Sequence, residues 1–514
     1  YREAAERDYA PAQCNLGFCY YRGIGTEMDD AKAVEWFQEA AEQGYPRALD
    51  LLGECYDNGY GVEKDEARAV ELYRRAYDGG YIPAACALGL CYELGTGVEA
   101  DPARAVELYR EAAEQGYAQA QCNLGFCLYR GIGTPEDGAQ AAEWFAKAAQ
   151  AGHARAQQLL GECYERGCGV ECSPEKAAEL YRQAHEQHYP AGTCSLGMCY
   201  EFGRGVERDP ERAVQLYREA AERDSAWAQC NLGFCYYQGI GVEMDDAEAV
   251  KWFTKAAAQG SARAHFLLGE CHEYGYGVEE NADQAARLYR IAHEGGYAPG
   301  TCSLGLCYEM GAGVAQDKEE AARLYRLAAE MGNARAQCNL GFFYYHGITV
   351  EEDTEQAAAW FAKSAAQGHH RAEFLLGECY ENGYGVKKSP IKAVELYTLA
   401  HKGGHPDGTC ALGRCRAAGL GVDRDEAKAA ALYAQAAEQG SAQGMYLLGR
   451  CYEQGRGVDQ DVDKARELYR KAADKQYEKA RQALDRLSAP RAPQAAEQPK
   501  AKAKRGFRWP FGKK

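Results

Sequence analysis

Sulfur is the chemistry this chain carries in quantity, and the spacing of its 22 cysteines decides what that sulfur can do. Twelve stand three residues after the Leu of a Leu-Gly pair and eight stand two residues before it, as Cys19 and Cys14 flank Leu16-Gly17. Residues five apart on a helix point in different directions, and their α-carbons are too distant for a disulfide. Equivalent cysteines on packed neighbouring helices would be about 10 Å apart, which fits neither a disulfide nor a zinc site. The pattern therefore predicts buried thiols acting as small hydrophobes, and with them a reducing compartment and a cytoplasmic location. Cys168 and Cys172 lie off the pattern, four apart in a Gly-containing turn near Cys163. They are either a redox-sensitive pair, part of a metal site, or loop cysteines without a role.

Histidine offers little more. His185, His293 and His401 recur 108 residues apart, and His188 follows the first by three. That spacing suits a metal face, but no acidic or Cys partner recurs with them and Tyr77 takes the equivalent place in the first block. Packing or capping at a helix C-terminus is the expectation, with no metal and no cofactor. No phosphate-binding loop, nucleophile elbow, His-Glu-x-x-His or paired-carboxylate signature is present. The many Glu residues of the repeat alternate with Lys and Arg at i, i+4 and read as a solvated face. A non-enzymatic protein is expected.

The C-terminal end differs in composition. Residues 488–514 open with a Pro/Ala-rich linker and then gather Lys500, Lys502, Lys504, Arg505, Phe507, Arg508, Trp509 and Phe511. Eight Lys/Arg against one Glu give this segment +7, leaving −24 for the rest of a chain whose net charge is −17. Basic residues with interleaved aromatics suit an anionic membrane surface, an acidic partner, or a disordered solubilising end; nucleic acid is the least favoured partner. The acidic remainder disfavours nucleic acid along its length.

The elements that must position these residues follow from one dipeptide. Leu-Gly recurs thirteen times at a spacing of 36, from Leu16-Gly17 to Leu448-Gly449, without a slip. A fixed period of this length means a supersecondary unit stacked on copies of itself. Counting from each Leu, Gly recurs at +7 in every copy and at +9 in all but one, where Thr349 stands. These glycines end a first helix and turn the chain. At +13 come ten Asp, two Ser and one Asn, all N-cap residues, and four copies follow with Pro, as at Pro102, which suits the first helical position. The second helix carries Ala at +17 and an aromatic at +21 in every copy (Ala33 and Phe37 in the first), and Gly marks its end in ten. Neither helix buries its apolar stripe alone, so the core exists only by stacking.

The run Leu-Gly-x-Cys-Tyr-x-x-Gly-x-Gly-Val, then Asp, then Ala-Val-Glu-x-Tyr-x-x-Ala-Ala-Glu-Gln-Gly resembles the Sel-1-like repeat, a relative of the tetratricopeptide repeat, most closely over residues 88–116. The resemblance spans residues 1–486, with departures at Thr349 and, at +4, at Leu128, His272 and Arg416. It implies an all-α protein, a right-handed αα-superhelical solenoid of about 26 antiparallel-paired helices with a disordered C-terminal tail. Cysteine-rich relatives bridge the end of one helix pair to the start of the next; here those segments hold no Cys. The implied role is an interaction scaffold or adaptor.

The repeats also cycle in threes. Gln-Cys-Asn-Leu-Gly-Phe begins at 13, 121, 229 and 337, Leu-Leu-Gly-Glu-Cys at 51, 159, 267 and 375, and Cys-x-Leu-Gly at 86, 194, 302 and 410. Block duplication explains this, as would a partner that is itself periodic. Residues 1–8 repeat 217–224, so the sequence is expected to open on the end of an upstream unit, with the solenoid over 9–487. The functional expectation is a protein or peptide partner held along the stacked first helices, chosen by the residues just after Leu-Gly: Phe18, Glu54, Leu90, Phe126, Glu162 and Met198. The alternative is a membrane-surface scaffold docked by the basic tail.

Overall fold

The computed structural model describes residues 1–488; the linker and the tail positions Lys500, Lys502, Lys504, Arg505, Phe507, Arg508, Trp509 and Phe511 lie outside the described residues. Those described form 28 helices and no strand. They divide into two compact units, the first Tyr1–Gly300 and the second beginning at Thr301. In each, consecutive helices pair and the pairs stack. Beyond the thirteen pairs, the short helix Arg2–Ala5 precedes the first and Glu478–Ser488 follows the last.

One repeat shows why the chain folds this way. The first helix, Ala118–Arg130, stops at Gly131, whose φ of 67° puts it in the left-handed region, and Ile132 N–H returns to the carbonyl of Cys127. The backbone N–H of Asp137 bonds the carbonyl of Leu128, and its carboxylate caps the amide of Gln140 to open the second helix, Gly138–Gln150. The residue at +13 accepts such a bond in each fully described second helix, from Asp29 to Asp461. Such a cap contributes about 1 kcal/mol. The second helix ends on Ala151, and the expected glycine, Gly152, stands one residue beyond that cap with a φ of 83°.

Packing within a repeat rests on the second residue of Leu-Gly. A Cβ on Gly17 would lie 2.7 Å from the ring of Phe37, and one on Gly197 2.7 Å from Tyr217; the other repeats share this contact. The missing side chain lets the ring lie flat on the first helix, and eleven of the thirteen +21 rings, together with Phe343, are the largest fully buried side chains among the described residues. Each contributes about 1.5–3 kcal/mol by leaving water.

Packing between repeats rests on the glycine at +9. A Cβ on Gly61 would stand 2.3 Å from the carbonyl oxygen of Asp30, at the start of the preceding second helix, whereas Gly25, with no complete repeat before it, has nothing within 4 Å. The period is therefore enforced by backbone touching backbone. Within a repeat, side chains tie the second helix back to the first: Gln43 donates to Gln13 at 2.7 Å, Gln187 to Gln157 at 2.7 Å, and Gln259 to Gln229 at 2.8 Å.

Among the described residues, five non-glycine residues have positive φ: Asp8, His188, Asp224, Gln476 and Thr349. The first four occupy the +28 place of the glycine that ends a second helix, and Thr349 occupies +9. The backbone holds its course and the side chain bears the strain, about 1–2 kcal/mol for an L-residue.

Candidate binding face

Positions −2, +2 and +6 of each first helix are four apart and share one face. The structure places the six residues expected there in four different settings. Phe18 lies half-buried beneath the guanidinium of Arg47, 5.4 Å from the ring centroid, and Arg47 also donates to Asn15 at 3.1 Å. Phe126 lies likewise under Arg155 at 5.0 Å, and the arrangement recurs 108 residues apart at Phe234 with Arg263 and Phe342 with Arg371. Glu54 accepts from Tyr21 Oη at 3.1 Å and Glu162 from Gln158 at 2.7 Å. Met198 is half-buried against the cluster of Tyr217 and Leu232. Leu90 alone of the six stands exposed, at 46%.

One turn further along, sequence reasoning missed three residues. Leu94 is 63% exposed, Phe202 54% and Met310 69%. Each stands four residues after the +2 side chain of a third-type repeat, so Leu90–Leu94 and Met198–Phe202 form apolar pairs on one helix face. The signal was present in the 108-residue cycle, masked because +6 holds Arg, Asn, Gln or His in most other repeats.

The second-type repeats supply charge in place of apolar surface. Asp50, four residues before Glu54, occupies the −2 place that is Cys in eight repeats. Burial pushes its carboxyl up to about 7; Glu54 adds to the rise and Arg47 opposes it.

The remaining sequence candidates are placed apart from this face. Cys172 is exposed and its thiol donates to the Glu165 carbonyl at 3.4 Å, while Cys168 is half-buried. Every cysteine among the described residues is a free thiol. Burial raises the patterned ones, Cys127 and Cys163 each to about 12. His185 Nδ1 lies 3.1 Å from Thr193 Oγ1, and His401 Nδ1 3.1 Å from Thr409 Oγ1. Each Thr hydroxyl donates to a carbonyl of its own helix, so it accepts from the imidazole, a helix-to-helix packing bond. No group of three His, Cys, Asp or Glu among the described residues is placed to hold a metal ion, and no described helix is long and apolar enough to cross a membrane. The face thus carries apolar side chains between charged neighbours.

The Sel1 repeat model matches the chain thirteen times, from residues 10–45 to residues 442–477. Among solved structures, a protective antigen of uropathogenic Escherichia coli strains that displays an SLR fold is 34% identical, with a TM-score of 0.54, over 90% of this chain and 99% of that one. A Sel1 repeat protein from Oxalobacter formigenes is 30% identical, with a TM-score of 0.44, over 48% of this chain and 96% of that one. An immunity protein from Pseudomonas aeruginosa is 22% identical, with a TM-score of 0.33, over 43% and 82% of the two chains. No match was found among curated proteins.

Proposed function

The chain belongs to the Sel1 repeat family, whose solenoids serve in general as non-catalytic interaction scaffolds, and on that premise we propose that it holds a protein or peptide partner on the face of its first helices. The observation that carries this reading is the exposure of Leu94 and Phe202 beside Leu90 and Met198, on helices whose cores are already filled. An apolar side chain left in water at a place the repeat can fill with Arg or Asn costs solubility without adding stability. A partner's apolar residues on these anchors would recover about 25 cal/mol per Å² buried. The acidic repeats favour a partner with basic residues around that contact. The patterned buried thiols fit a reducing compartment.

Photo-crosslinking tests this reading. A benzophenone amino acid at position 94 or 202 of the full chain should capture a discrete partner in the native cell, and the same probe at the exposed turn residue Lys64 should not. Identical capture from all three positions would overturn it. A second reading rests on the +7 charge and the three aromatics of residues 488–514: the tail docks the scaffold on an anionic membrane surface. In that case the full chain floats with phosphatidylserine vesicles and a chain ending at Ser488 stays in the pellet.

A further inference from the structure

The residue at +5 obeys a rule with one exception. It is Tyr where the second helix carries Phe at +21, and Glu or Asp where it carries Tyr, except in the twelfth repeat, where Ala417 faces Tyr433. In seven repeats the Tyr hydroxyl donates to that Glu, as Tyr397 does to Glu381 at 2.6 Å. Tyr433 has no such acceptor. The space that Glu would fill is open instead, as a cavity of about 310 Å³ walled by Ala417, Ala418, Leu447 and Tyr433 and by three arginines, Arg414, Arg450 and Arg456.

Two of these arginines interrupt the three-repeat cycle. Position +2 is Leu, Met, Phe or Glu in the first eleven repeats and becomes Arg414 and Arg450 in the last two. The third arginine loses its counterion to the same exception. Arg204, which holds the +8 place of the sixth repeat, pairs at 2.7 Å with Glu165, the +5 residue of the repeat before it. Arg456 holds +8 of the thirteenth repeat, and the corresponding residue is Ala417. Among the described residues, neither Arg450 nor Arg456 has an ion-pair partner. Arg414 lies 3.6 Å from Glu381, yet its Nε is buried with no hydrogen-bond partner. Glu426, at the pocket edge, is already paired with Arg424. In a chain of net −17, this is a concave cationic spot with unspent donors and apolar walls.

We propose that this pocket is a binding site for an oxyanion, a carboxylate or a phosphate monoester, carried on a small apolar body. Arg450, Arg456 and Arg414 Nε donate to the oxyanion, as arginine forks do. The Tyr433 hydroxyl takes it as the acceptor its repeat lacks, and Ala417, Ala418 and Leu447 contact the apolar body. The volume suits a ligand of about a dozen heavy atoms, at the small end of ordinary ligand sites. This site does not depend on the binding-face reading.

Calorimetric titration of the full chain at low salt, with benzoate and with phenyl phosphate, tests the proposal. Saturable binding of either is expected, and the tighter one identifies the class. Ala417→Glu restores the residue that its neighbours carry, so the variant should fold with an unchanged or raised Tm while affinity falls about tenfold or more. Arg456→Gln, at an exposed turn, should lower affinity in the same direction. Absence of saturable binding by the native protein, or equal affinity in a folded Ala417→Glu variant, overturns the proposal.

Discussion

Tyr217 gives its phenolic hydrogen to Glu201 across 2.6 Å, and the pair is buried between the two helices of one repeat. The same place in the neighbouring repeat holds Tyr237 edge-on to Phe253, with ring centroids 6.4 Å apart. Two solutions, Tyr with Glu or Phe with Tyr, thus fill one space.

Breaking one partner should therefore cost more than exchanging both. Tyr217→Phe leaves the Glu201 carboxylate buried without its donor and should destabilise by about 1–3 kcal/mol. Adding Glu201→Tyr recreates the neighbouring solution and should recover most of that loss. Urea midpoints of the single and double variants decide it, and additive losses would count against the two-solution account.

The glycines should differ sharply in what an added methyl does. At Gly44 a Cβ meets nothing within 4 Å, so Gly44→Ala should cost only the left-handed backbone term, about 1 kcal/mol. Gly61→Ala drives a Cβ to 2.3 Å from the Asp30 carbonyl and should cost several times more. Thr349→Gly should raise stability by about 1 kcal/mol. Thermal melts of the three rank them.

Stability should fall with rising pH through Asp50. Its folded value is raised from 3.8 to about 7, so the native state holds the proton more tightly than the unfolded chain. The stabilisation is complete below pH 3.8 and is lost as the pH climbs through 7. Asp50→Asn removes the titration and should flatten this slope, leaving the variant more stable than the native chain at pH 8 by on the order of 1–3 kcal/mol. Hydrogen exchange in the helix Pro46–Asn58 at pH 5 and pH 8 reads it directly.

Thiol chemistry should single out one residue. Cys172 is exposed, whereas burial raises Cys55, Cys127, Cys235 and others to about 12. Iodoacetamide at pH 8 should alkylate Cys172 first and leave the buried set untouched until urea is added. Rapid native labelling of many sites would contradict the buried-thiol assignment.

A charge should distinguish core from face. Leu52 is 4% exposed and Leu94 63%. Leu52→Asp should unfold its own and adjacent repeats, since it buries an unpaired carboxylate, while Leu94→Asp should leave the melt within about 0.5 kcal/mol of native. Limited proteolysis separates the two outcomes.

The sequence by itself determined the period, the two helices of each unit, their caps and their turn glycines. Those depend on local chemistry: Asp29 caps because it is Asp, and Gly23 stops a helix because it adopts a φ that most residues avoid. The inward place of Ala33 and Phe37 followed from helical spacing, and so did the free thiols. The pairing of Tyr217 with Glu201 was also written there, as co-occurrence at +5 and +21, but recognising it requires knowing that those positions touch. Only the tertiary structure decided how the face after Leu-Gly is used. Phe18 is capped by Arg47 from the next repeat, Glu54 is tied to Tyr21 from the previous one, and Leu94 is left bare. It alone revealed that Ala417 and three arginines from two repeats enclose one cavity. The physical reason is that a helix's own residues fix its face and ends, while exposure and electrostatics on that face are set by side chains arriving about 30 residues away across the repeat boundary.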